Sequence, residues 1–347
     1  MLEIDGAHGE GGGQILRTAL AVAATTGTPC RIVRIRAGRG RPGLLAQHLA
    51  AVRMAATIAD AEVAGATLGS SELTFVPRRL CPGEHTVDVG TAGSACLVAQ
   101  VALTPLLHAP RRSTVRVSGG THNRAAPPAE FLQRTFLPVL AQTGVRAELR
   151  LERHGFEPVG GGRVTLRVEP ARRWVPLTLT GVGPARPGTA RALLSRLPRH
   201  VGDRELDVVA RELGWPREQL RVEEVRAAGP GNILLLEVER PAVTEVVSAV
   251  GLRGVAAEEV ARRAVSAARQ ALAHGPPVGP HLADQLLVPL ALGGGGTFRT
   301  TTPTTHFTTN VHTLRRFVDT PITWTSDDDG TTVVHVGRAR ATTFPWR

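Results

Sequence analysis

The chain has 347 residues, enough for two domains or one large domain with an insertion, and 42% of them are hydrophobic, which supports a substantial core. No apolar run reaches membrane-spanning length, and the N-terminus lacks the basic and apolar segments of a secretion signal. The three cysteines, Cys30, Cys81 and Cys96, form no CxxC pair, which argues against a disulfide framework or a zinc site and favours the cytoplasm.

The basic residues give a net charge of +11, and all 41 of them are arginine. Because the guanidinium group matches phosphate bidentately, this surplus favours a polyanionic partner, although a basic surface is also compatible with a protein that has none. The absence of lysine excludes an ordinary P-loop NTPase, whose Walker A lysine reaches the phosphates of the nucleotide. It also excludes a lysyl-nucleotide intermediate and a lysine Schiff base.

Apolar spacing and Gly/Pro boundaries predict three units with the order α-β-α-β-β. The first has a glycine-rich turn and helix at 9–27, a strand at 31–38, a helix at 44–58, and strands at 61–65 and 72–77. The second has a helix at 90–107, a strand at 113–120, a helix ending near 140, and strands at 145–152 and 163–170. The third has a helix at 279–294, a strand at 296–301, a helix from about 309 to 318, and strands at 321–325 and 331–336.

Residues 181–277 break this pattern and predict a smaller inserted α/β domain. Its predicted elements are helices at 189–197, 203–213 and 256–274, and strands at 219–227 and 231–239. The expected fold is therefore α/β (α+β), with three repeated units and an insertion. The predicted domain boundaries are 1–180 for units one and two, 181–277 for the inserted domain, and 278–347 for unit three.

One histidine, His306, lies in a threonine-rich loop before the last helix of unit three. Backbone amides at a helix N-terminus favour an incoming phosphate, so this histidine is a candidate nucleophile for phosphorus chemistry. The alternative is an ordinary surface loop residue. Corresponding loops of the other units contain Arg39 to Arg41 and Thr121 to Arg124, and packing about a pseudo-threefold axis would let the three loops converge.

The densest local signal is the run GEGGGQILR at 9–17. Its glycines allow close backbone approach to a ligand, and its free amides suit a phosphate. Glu10 could hold a divalent metal ion, while Gln14 and Arg17 lie one helical turn apart. A dinucleotide-binding fingerprint is rejected because the preceding strand is short and no acidic residue follows about 20 positions later. The histidines His48, His122 and His154 are either further site residues or structural ones.

Six motifs in this order resemble the RNA 3'-terminal phosphate cyclase family, over residues 2 to about 337. They are GEGGGQILR, RIRAGRGRPGLLAQHLAAV, SGGTHNRAAPP, RHGFEPVGGG, HLADQ and THFTTN. The resemblance implies three repeats of a four-stranded sheet backed by two helices, together with a smaller inserted α/β domain. It also implies conversion of an RNA 3'-phosphate to a 2',3'-cyclic phosphate with consumption of ATP.

The resemblance further implies roles for individual residues. His306 matches the family's nucleophile. The ATP-binding positions correspond to Gln100, His281, Leu282, Ala283, Asp284 and Gln285, and the phosphate and metal region to Glu10, Gln14, Arg17, Arg36, Arg39 and Gln47. Where relatives often have tyrosine before Leu-Ala-Asp-Gln, this chain has His281, whose smaller ring predicts weaker or pH-sensitive ATP binding if it stacks on adenine.

The mechanism implied has three steps: adenylation of His306, transfer of AMP to the RNA 3'-phosphate, and attack by the neighbouring 2'-hydroxyl with release of AMP. The expected co-substrate is ATP, the expected metal ion Mg²⁺ or Mn²⁺ on Glu10, and the expected partner an RNA 3'-phosphate end. Neither a membrane nor a particular oligomeric state is indicated. Two rivals remain, a catalytically silent RNA-binding assembly factor of the same fold and an enolpyruvyl transferase, although the usual lysines of the latter are missing here.

Overall fold

The structure is a computed structural model that describes residues 1–181, 183–272 and 275–339. The first unit contains β1 (Leu2–Asp5), α1 (Gly13–Thr26), β2 (Cys30–Val33), α2 (Ala46–Ala59), β3 (Glu62–Ala64) and β4 (Leu73–Val76). The second contains β5 (Glu84–Asp88), α3 (Ala95–Leu107), β6 (Ser113–Gly119), α4 (Ala129–Phe131), a π-helical turn (Leu132–Phe136), α5 (Leu137–Ala141), β7 (Arg146–Arg153) and β8 (Gly162–Glu169).

The rest of the chain supplies a single strand, the inserted region and the remainder of unit three. The single strand is β9 (Leu177–Leu179). The inserted region contains β10 (Arg186–Ser195), α6 (Arg199–Leu213), a 3₁₀ turn (Arg217–Gln219), β11 (Leu220–Glu224), β12 (Gly231–Glu239), β13 (Thr244–Val250) and α7 (Ala257–Leu272). Unit three continues with α8 (Pro280–Leu292), β14 (Gly296–Thr301), α9 (Thr305–Phe317), β15 (Ile322–Ser326) and β16 (Thr331–Val336).

Three of the four sheets share one topology. Their strand orders are β1-β2-β4-β3, β5-β6-β8-β7 and β9-β14-β16-β15. In each, the first two strands are parallel and the remaining pairs are antiparallel. The parallel pair requires a crossover helix, which is why α1, α3 and α8 each follow the first strand of their unit. The predicted fold of three repeated units with an insertion is confirmed.

The helices of the three units meet in a shared interior. Helix α1 contacts α2, α3, α8 and α9, and α3 also contacts α2 and α8. Twelve residues of α1 are buried, and four of them are alanine. Small side chains let neighbouring helices approach closely, and one apolar core extends through all three units. Within the part of the chain that is described, no helix is both long and apolar enough to cross a membrane.

The inserted region forms a fourth sheet, with the order β11-β10-β12-β13. Helices α6 and α7 pack on this sheet, and a separate apolar cluster that includes Leu206, Trp215 and Leu234 lies between them. The region docks on the second unit through Thr135, whose hydroxyl donates to the Thr244 carbonyl at 2.7 Å and accepts from the Val246 amide at 3.1 Å. The boundaries 181 and 277 remain predictions.

Several predicted elements were wrong or missing. The segment 189–197, predicted as a helix, lies in β10, because pairing with β11 and β12 on both sides overrides the helix preference of its Ala and Leu residues. The strand predicted at 31–38 ends at Val33, since Arg34 and Arg36 have φ of 52° and 56°. Strands β5, β9 and β13 were not predicted. Each unit therefore has the order β-α-β-α-β-β, and unit three is interrupted by the insertion after β9.

Glu205 in α6 provides a test of pH-dependent stability. Burial raises the pKa of its carboxyl group to about 7, which a hydrogen bond from Asn232 at 3.1 Å only partly opposes. The folded pKa lies above the ordinary value of 4.5, so its stabilising contribution is complete below pH 4.5 and is lost as pH rises through about 7. Since glutamine cannot ionise, we expect Glu205→Gln to gain about 2 to 3 kcal/mol relative to the parent protein between pH 4.5 and pH 8.

Urea unfolding of both proteins at pH 4.5 and pH 8 measures this difference. The exposed Glu218 offers a matched control, because Glu218→Gln should change stability equally at both pH values. An identical stability difference for Glu205→Gln at the two pH values would contradict the assignment.

Candidate active site

The glycine-rich turn brings Glu10 to the start of α9. Gly9 and Gly11 have φ of 53° and 58°, a region that side chains rarely adopt. Between them, the Glu10 amide donates to Thr309 Oγ1 at 3.1 Å. A β-carbon at position 9 would collide with the Thr309 side chain, and one at position 12 with the Glu10 carboxylate. Glycine at position 9 therefore permits the close approach between units one and three, and glycine at position 12 leaves room for the Glu10 carboxylate.

His306 lies in the first turn of α9 and not in the preceding loop. The helix begins at Thr305, four residues before the predicted start, because Thr304 is the N-cap and its hydroxyl accepts the Phe307 amide at 3.2 Å. The side chain of His306 keeps 56% of its surface exposed, whereas that of Glu10 keeps only 10%. The imidazole therefore stands on an open surface above a buried carboxylate.

Two acceptor oxygens face one nitrogen of His306. Its Nδ1 lies 3.0 Å from Glu10 Oε2 and 3.1 Å from Gln14 Oε1. The other carboxylate oxygen of Glu10 pairs with the guanidinium of Arg39. Because Gln14 Oε1 accepts from Nδ1 and the negative Glu10 carboxylate lies beside it, the proton of a neutral imidazole lies on Nδ1 and the lone pair on Nε2.

Buried amides behind His306 determine which atom of Gln14 faces it. Thr18 donates its hydroxyl to Asn310 Oδ1 at 2.7 Å, so the Asn310 amide nitrogen is directed at Asp284 Oδ1, 3.0 Å away. The Gln14 Nε2 donates to the same carboxylate oxygen at 2.5 Å. Gln14 therefore has only its carbonyl oxygen left for His306, and the carboxylate of Asp284 controls the imidazole tautomer through Gln14.

Burial shifts the pKa values of the charged groups around this network. Burial raises the pKa of Asp284, while hydrogen bonds from Asn310 and Gln14 and the charges of His306 and Arg17 oppose it. Burial lowers the pKa of Arg17 to about 10, so its guanidinium stays charged at neutral pH. Burial and the charges of Arg17 and Arg36 lower the pKa of His48 to about 3. His48 is thus neutral, and its Nδ1 accepts the Leu45 amide at 3.1 Å.

The residues expected at the ATP-binding region lie at the N-terminal part of α8 and on α3. Gln100 donates to Gln285 across the two helices at 2.5 Å. His281 is exposed, but partial desolvation and the charge of His306 both lower its pKa. The side chains of Leu282 and Ala283 are buried in the core, so they cannot contact a ligand on the open surface.

Two residues expected in the phosphate region make structural contacts. The guanidinium of Arg36 donates to the carbonyls of Arg41 and Gly43, at 2.5 and 2.9 Å, and thereby closes its own loop. Gln47 accepts the amide of Ser94, the N-cap of α3, at 2.7 Å and joins units one and two. Glu10, Gln14, Arg39 and His306 are linked by direct contacts, and Arg17 lies close enough to Asp284 for their charges to interact.

Sequence reasoning missed Thr18, Thr309 and Asn310 as parts of this site. The signal was available, because Asn310 follows His306, and Thr18 follows Gln14, by four positions on a helix. Residues at this spacing share one helix face. Of the three loops expected to converge, those with Arg39 and His306 meet through Glu10. The second loop, Thr121 to Arg124, does not reach the other two, because its His122 is buried against Glu130 instead.

Comparison with known proteins identifies the family of this chain. The family model described as RNA 3'-terminal phosphate cyclase matches residues 8–324. The chain belongs to the RNA 3'-terminal phosphate cyclase family. The matched residues include both halves of the site, the glycine-rich turn with Glu10 and the first turn of α9 with His306.

Curated relatives match over nearly their whole length. An RNA 3'-terminal phosphate cyclase of Koribacter versatilis (strain Ellin345) is 48% identical over 319 residues, which are 92% of this chain and 90% of the relative. One of Ectopseudomonas mendocina (strain ymp) is 47% identical over 329 residues, 94% of this chain and 96% of the relative. One of Salmonella agona (strain SL483) is 45% identical over 329 residues, 94% of both chains.

Proposed function

We propose that this protein converts an RNA 3'-terminal phosphate to a 2',3'-cyclic phosphodiester and consumes ATP in doing so. The observation that carries the proposal is the imidazole of His306, whose Nδ1 is hydrogen-bonded to Gln14 Oε1 and lies beside the Glu10 carboxylate while the ring keeps half of its surface exposed. This arrangement leaves Nε2 as an accessible nucleophile beside a helix N-terminus and several arginines. The chain has no lysine, so histidine is the side chain available for a nitrogen–AMP bond.

In the first step His306 Nε2 attacks the α-phosphorus of ATP, a nitrogen–phosphorus bond forms, and pyrophosphate leaves. The ring becomes positively charged because Nδ1 keeps its proton. Glu10 Oε2 and Gln14 Oε1, 3.0 and 3.1 Å from Nδ1, stabilise this charge as it develops. The guanidinium groups of Arg17 and Arg39 favour the phosphates by charge.

In the second step a 3'-phosphate oxygen of RNA attacks the phosphorus of the histidyl-AMP adduct, giving a phosphoanhydride and restoring His306. In the third step the neighbouring 2'-hydroxyl attacks the terminal RNA phosphorus, its proton is lost, and AMP leaves. Adenylation is needed because an unmodified phosphate would have to expel hydroxide or oxide. The last step is intramolecular, so proximity supplies much of its acceleration.

The ATP-binding residues are proposed to be Gln100, His281, Asp284 and Gln285, which lie on α3 and α8 beside His306. Their support is spatial, since Asp284 reaches His306 through Gln14 and the charge of His306 lowers the pKa of His281. Leu282 and Ala283 contribute through backbone position and core packing. His281 offers an imidazole face for adenine.

A divalent cation, Mg²⁺ or Mn²⁺, is proposed to bind at Glu10. The donor fits, because Glu10 Oε2 is a buried carboxylate oxygen without a hydrogen bond of acceptable geometry, and carboxylate oxygen is the donor that these ions prefer. The ion would neutralise negative charge on the phosphates. Arg39 already pairs with the other oxygen of this carboxylate, so the two oxygens have separate partners.

Glu10→Gln is expected to lower the rate of adenylation strongly, because the variant loses both the cation ligand and the negative charge beside His306 Nδ1. Raising the concentration of Mn²⁺ should restore part of the rate by mass action. Single-turnover adenylation measured across a metal titration checks this. The exposed Glu3 supplies the control, since Glu3→Gln should follow the metal titration of the parent protein. Equal metal dependence of Glu10→Gln and the parent would contradict the assignment.

The proposed function is tested with three oligoribonucleotides that differ only at the 3'-terminal nucleotide. One has a 3'-phosphate and a 2'-hydroxyl, the second a 3'-phosphate on a 2'-deoxy sugar, and the third a free 3'-hydroxyl. With ATP and Mg²⁺ the first should be cyclised, the second should accumulate as an adenylated end, and the third should be unchanged. Binding of all three without AMP release would overturn the proposal and favour an RNA-binding factor.

A further inference from the structure

A second group of ionisable side chains lies where unit two meets the inserted region. His122, Glu130 and His154 each offer one ligand atom, and these atoms all lie within 4.8 Å of one another. His122 and Glu130 are buried, with 0% and 5% of their surfaces exposed, and His154 is half-buried. Two imidazoles and a carboxylate in a buried position form a donor set that binds transition-metal ions in proteins.

The ring of His122 is oriented from behind by Thr121. Thr121 Oγ1 accepts the Gly155 amide at 2.9 Å, lies 3.4 Å from the Gly155 carbonyl, and lies 2.8 Å from His122 Nδ1. The Thr121 hydroxyl donates to His122 Nδ1, and His122 Nε2 donates its proton to Glu130 Oε2, 2.9 Å away. A metal ion that binds both atoms displaces this proton. Support of this kind for one ring nitrogen is typical of a metal-binding histidine.

The ring of His154 has no hydrogen-bond partner among the described residues, although it stacks on His122 with ring centroids 5.3 Å apart. A half-buried imidazole without a hydrogen bond has a ring nitrogen that no protein group uses. A metal ion can bind to the lone pair of that nitrogen.

Arg191 of β10 also faces the cluster, since its charge acts on both Glu130 and His154. That charge is compensated by Glu237 and Glu223, at 3.2 and 3.6 Å from the guanidinium. The cluster itself offers one carboxylate donor, Glu130, and two imidazole donors, His122 and His154.

We propose that His122, Glu130 and His154 bind one Zn²⁺ ion in unit two, beside its contact with the inserted region. Nitrogen and carboxylate donors together favour zinc over Mg²⁺ or Ca²⁺, which prefer oxygen alone. Bonds of about 2.1 Å in tetrahedral geometry place donor atoms roughly 3.4 Å apart, so the widest spacing in the cluster has to contract by up to about 1.4 Å. Side-chain rotation accommodates this, and the half-buried side of His154 leaves room for water as the fourth ligand.

The backbone around the cluster lies at the contact between unit two and the inserted region. His154 pairs with Ala227 of the inserted region in a β-bridge, and a β-carbon at Gly231 would collide with the Phe156 ring, which stacks on His122. The two parts of the chain are thus in direct contact beside the three ligands. No contact between described residues joins this cluster to Glu10 or His306, so the site is separate from the reaction centre.

Metal content of the full-length, untagged protein tests the proposal. Protein dialysed first against chelator and then against Zn²⁺ should contain about one zinc per chain by elemental analysis, and its thermal transition should rise on zinc addition. Co²⁺ as a probe should give visible absorption typical of four-coordinate nitrogen and oxygen ligation, without a thiolate charge-transfer band. Less than about a tenth of a zinc per chain would overturn the proposal.

Variants assign the ligands. His154→Gln should lose the zinc and the zinc-dependent thermal shift while keeping the circular dichroism of the parent, because its side chain is only half-buried. Glu130→Gln should likewise lose the zinc and the zinc-dependent thermal shift. His200→Gln, at an exposed histidine of the inserted region, and His306→Ala should both keep one zinc. Retention of zinc by His154→Gln, or its loss in His306→Ala, would refute this site.

Discussion

Replacing His306 with alanine is expected to abolish formation of the protein–AMP adduct while leaving the fold intact. The side chain is half-exposed in the first turn of α9, so its removal creates no core cavity. In the proposed mechanism Nε2 of this residue is the atom that displaces pyrophosphate, and no other side chain replaces it. The variant should nevertheless cyclise an RNA end that has been adenylated chemically, because the nucleophile of that step is the RNA 2'-hydroxyl.

Incubation with α-labelled ATP and a divalent metal, followed by denaturing gel electrophoresis, measures the adduct. In the parent protein the labelled band should be acid-labile and alkali-stable, as expected for a phosphoramidate. His335→Ala is a matched control, since His335 is exposed on β16 and bonds to Thr297 at 2.8 Å, away from Glu10 and Gln14. A labelled band of normal intensity in His306→Ala would remove His306 from the mechanism.

Asp284→Asn is expected to slow adenylation by roughly 10²-fold without unfolding the protein. The carboxylate accepts from both Gln14 Nε2 and Asn310 Nδ2, at 2.5 and 3.0 Å. Both donors use the same oxygen, Oδ1, so asparagine can keep both hydrogen bonds only with its carbonyl oxygen in that place and without the negative charge. The weaker hydrogen bond lets the Gln14 amide rotate, and an amide nitrogen facing His306 Nδ1 moves the ring proton to Nε2 and blocks the nucleophile. Loss of the correct imidazole tautomer costs up to about 10⁴-fold in serine proteases.

Single-turnover adenylation of Asp284→Asn, compared with its thermal transition, separates this effect from loss of structure. Asp319 is exposed just after α9, and Asp319→Asn should leave the rate unchanged. A normal adenylation rate in Asp284→Asn would show that the carboxylate does not control His306. Together, His306→Ala and Asp284→Asn distinguish the nucleophile from the residue that orients it.

The repeated architecture was predictable because its helices and most of its strands have clear apolar periodicity. The first strands of units two and three could not be predicted from periodicity, since β5 (EHTVD) is mostly polar and β9 (LTL) has only three residues. Such strands are specified by pairing with β6 and β14, which sequence spacing does not reveal. β10 was mistaken for a helix because its pairing with β11 and β12 is likewise not visible in the sequence.

Within the candidate site, the motifs identified Glu10, Gln14, Asp284 and His306, but the direction of the hydrogen bonds between them could not be read from the sequence. That direction depends on Thr18 and Asn310, which come from different units and meet only in the folded protein. Arg36, which the resemblance assigns to the phosphate region, stays a prediction. Its guanidinium already donates to the carbonyls of its own loop, a contact that the sequence did not reveal.

The interruption of unit three after β9 has a consequence for biosynthesis. Leu177 pairs with Gly296, so β9 leaves the ribosome long before its partner strand and the whole inserted region is made in between. The inserted region has its own apolar cluster and can become compact during this interval, which shortens the effective loop that must close. His306 and Gln14 are separated by 292 positions in sequence. The reaction centre is therefore among the last parts of the nascent chain to form, and a truncated product would lack the nucleophile while keeping two complete units.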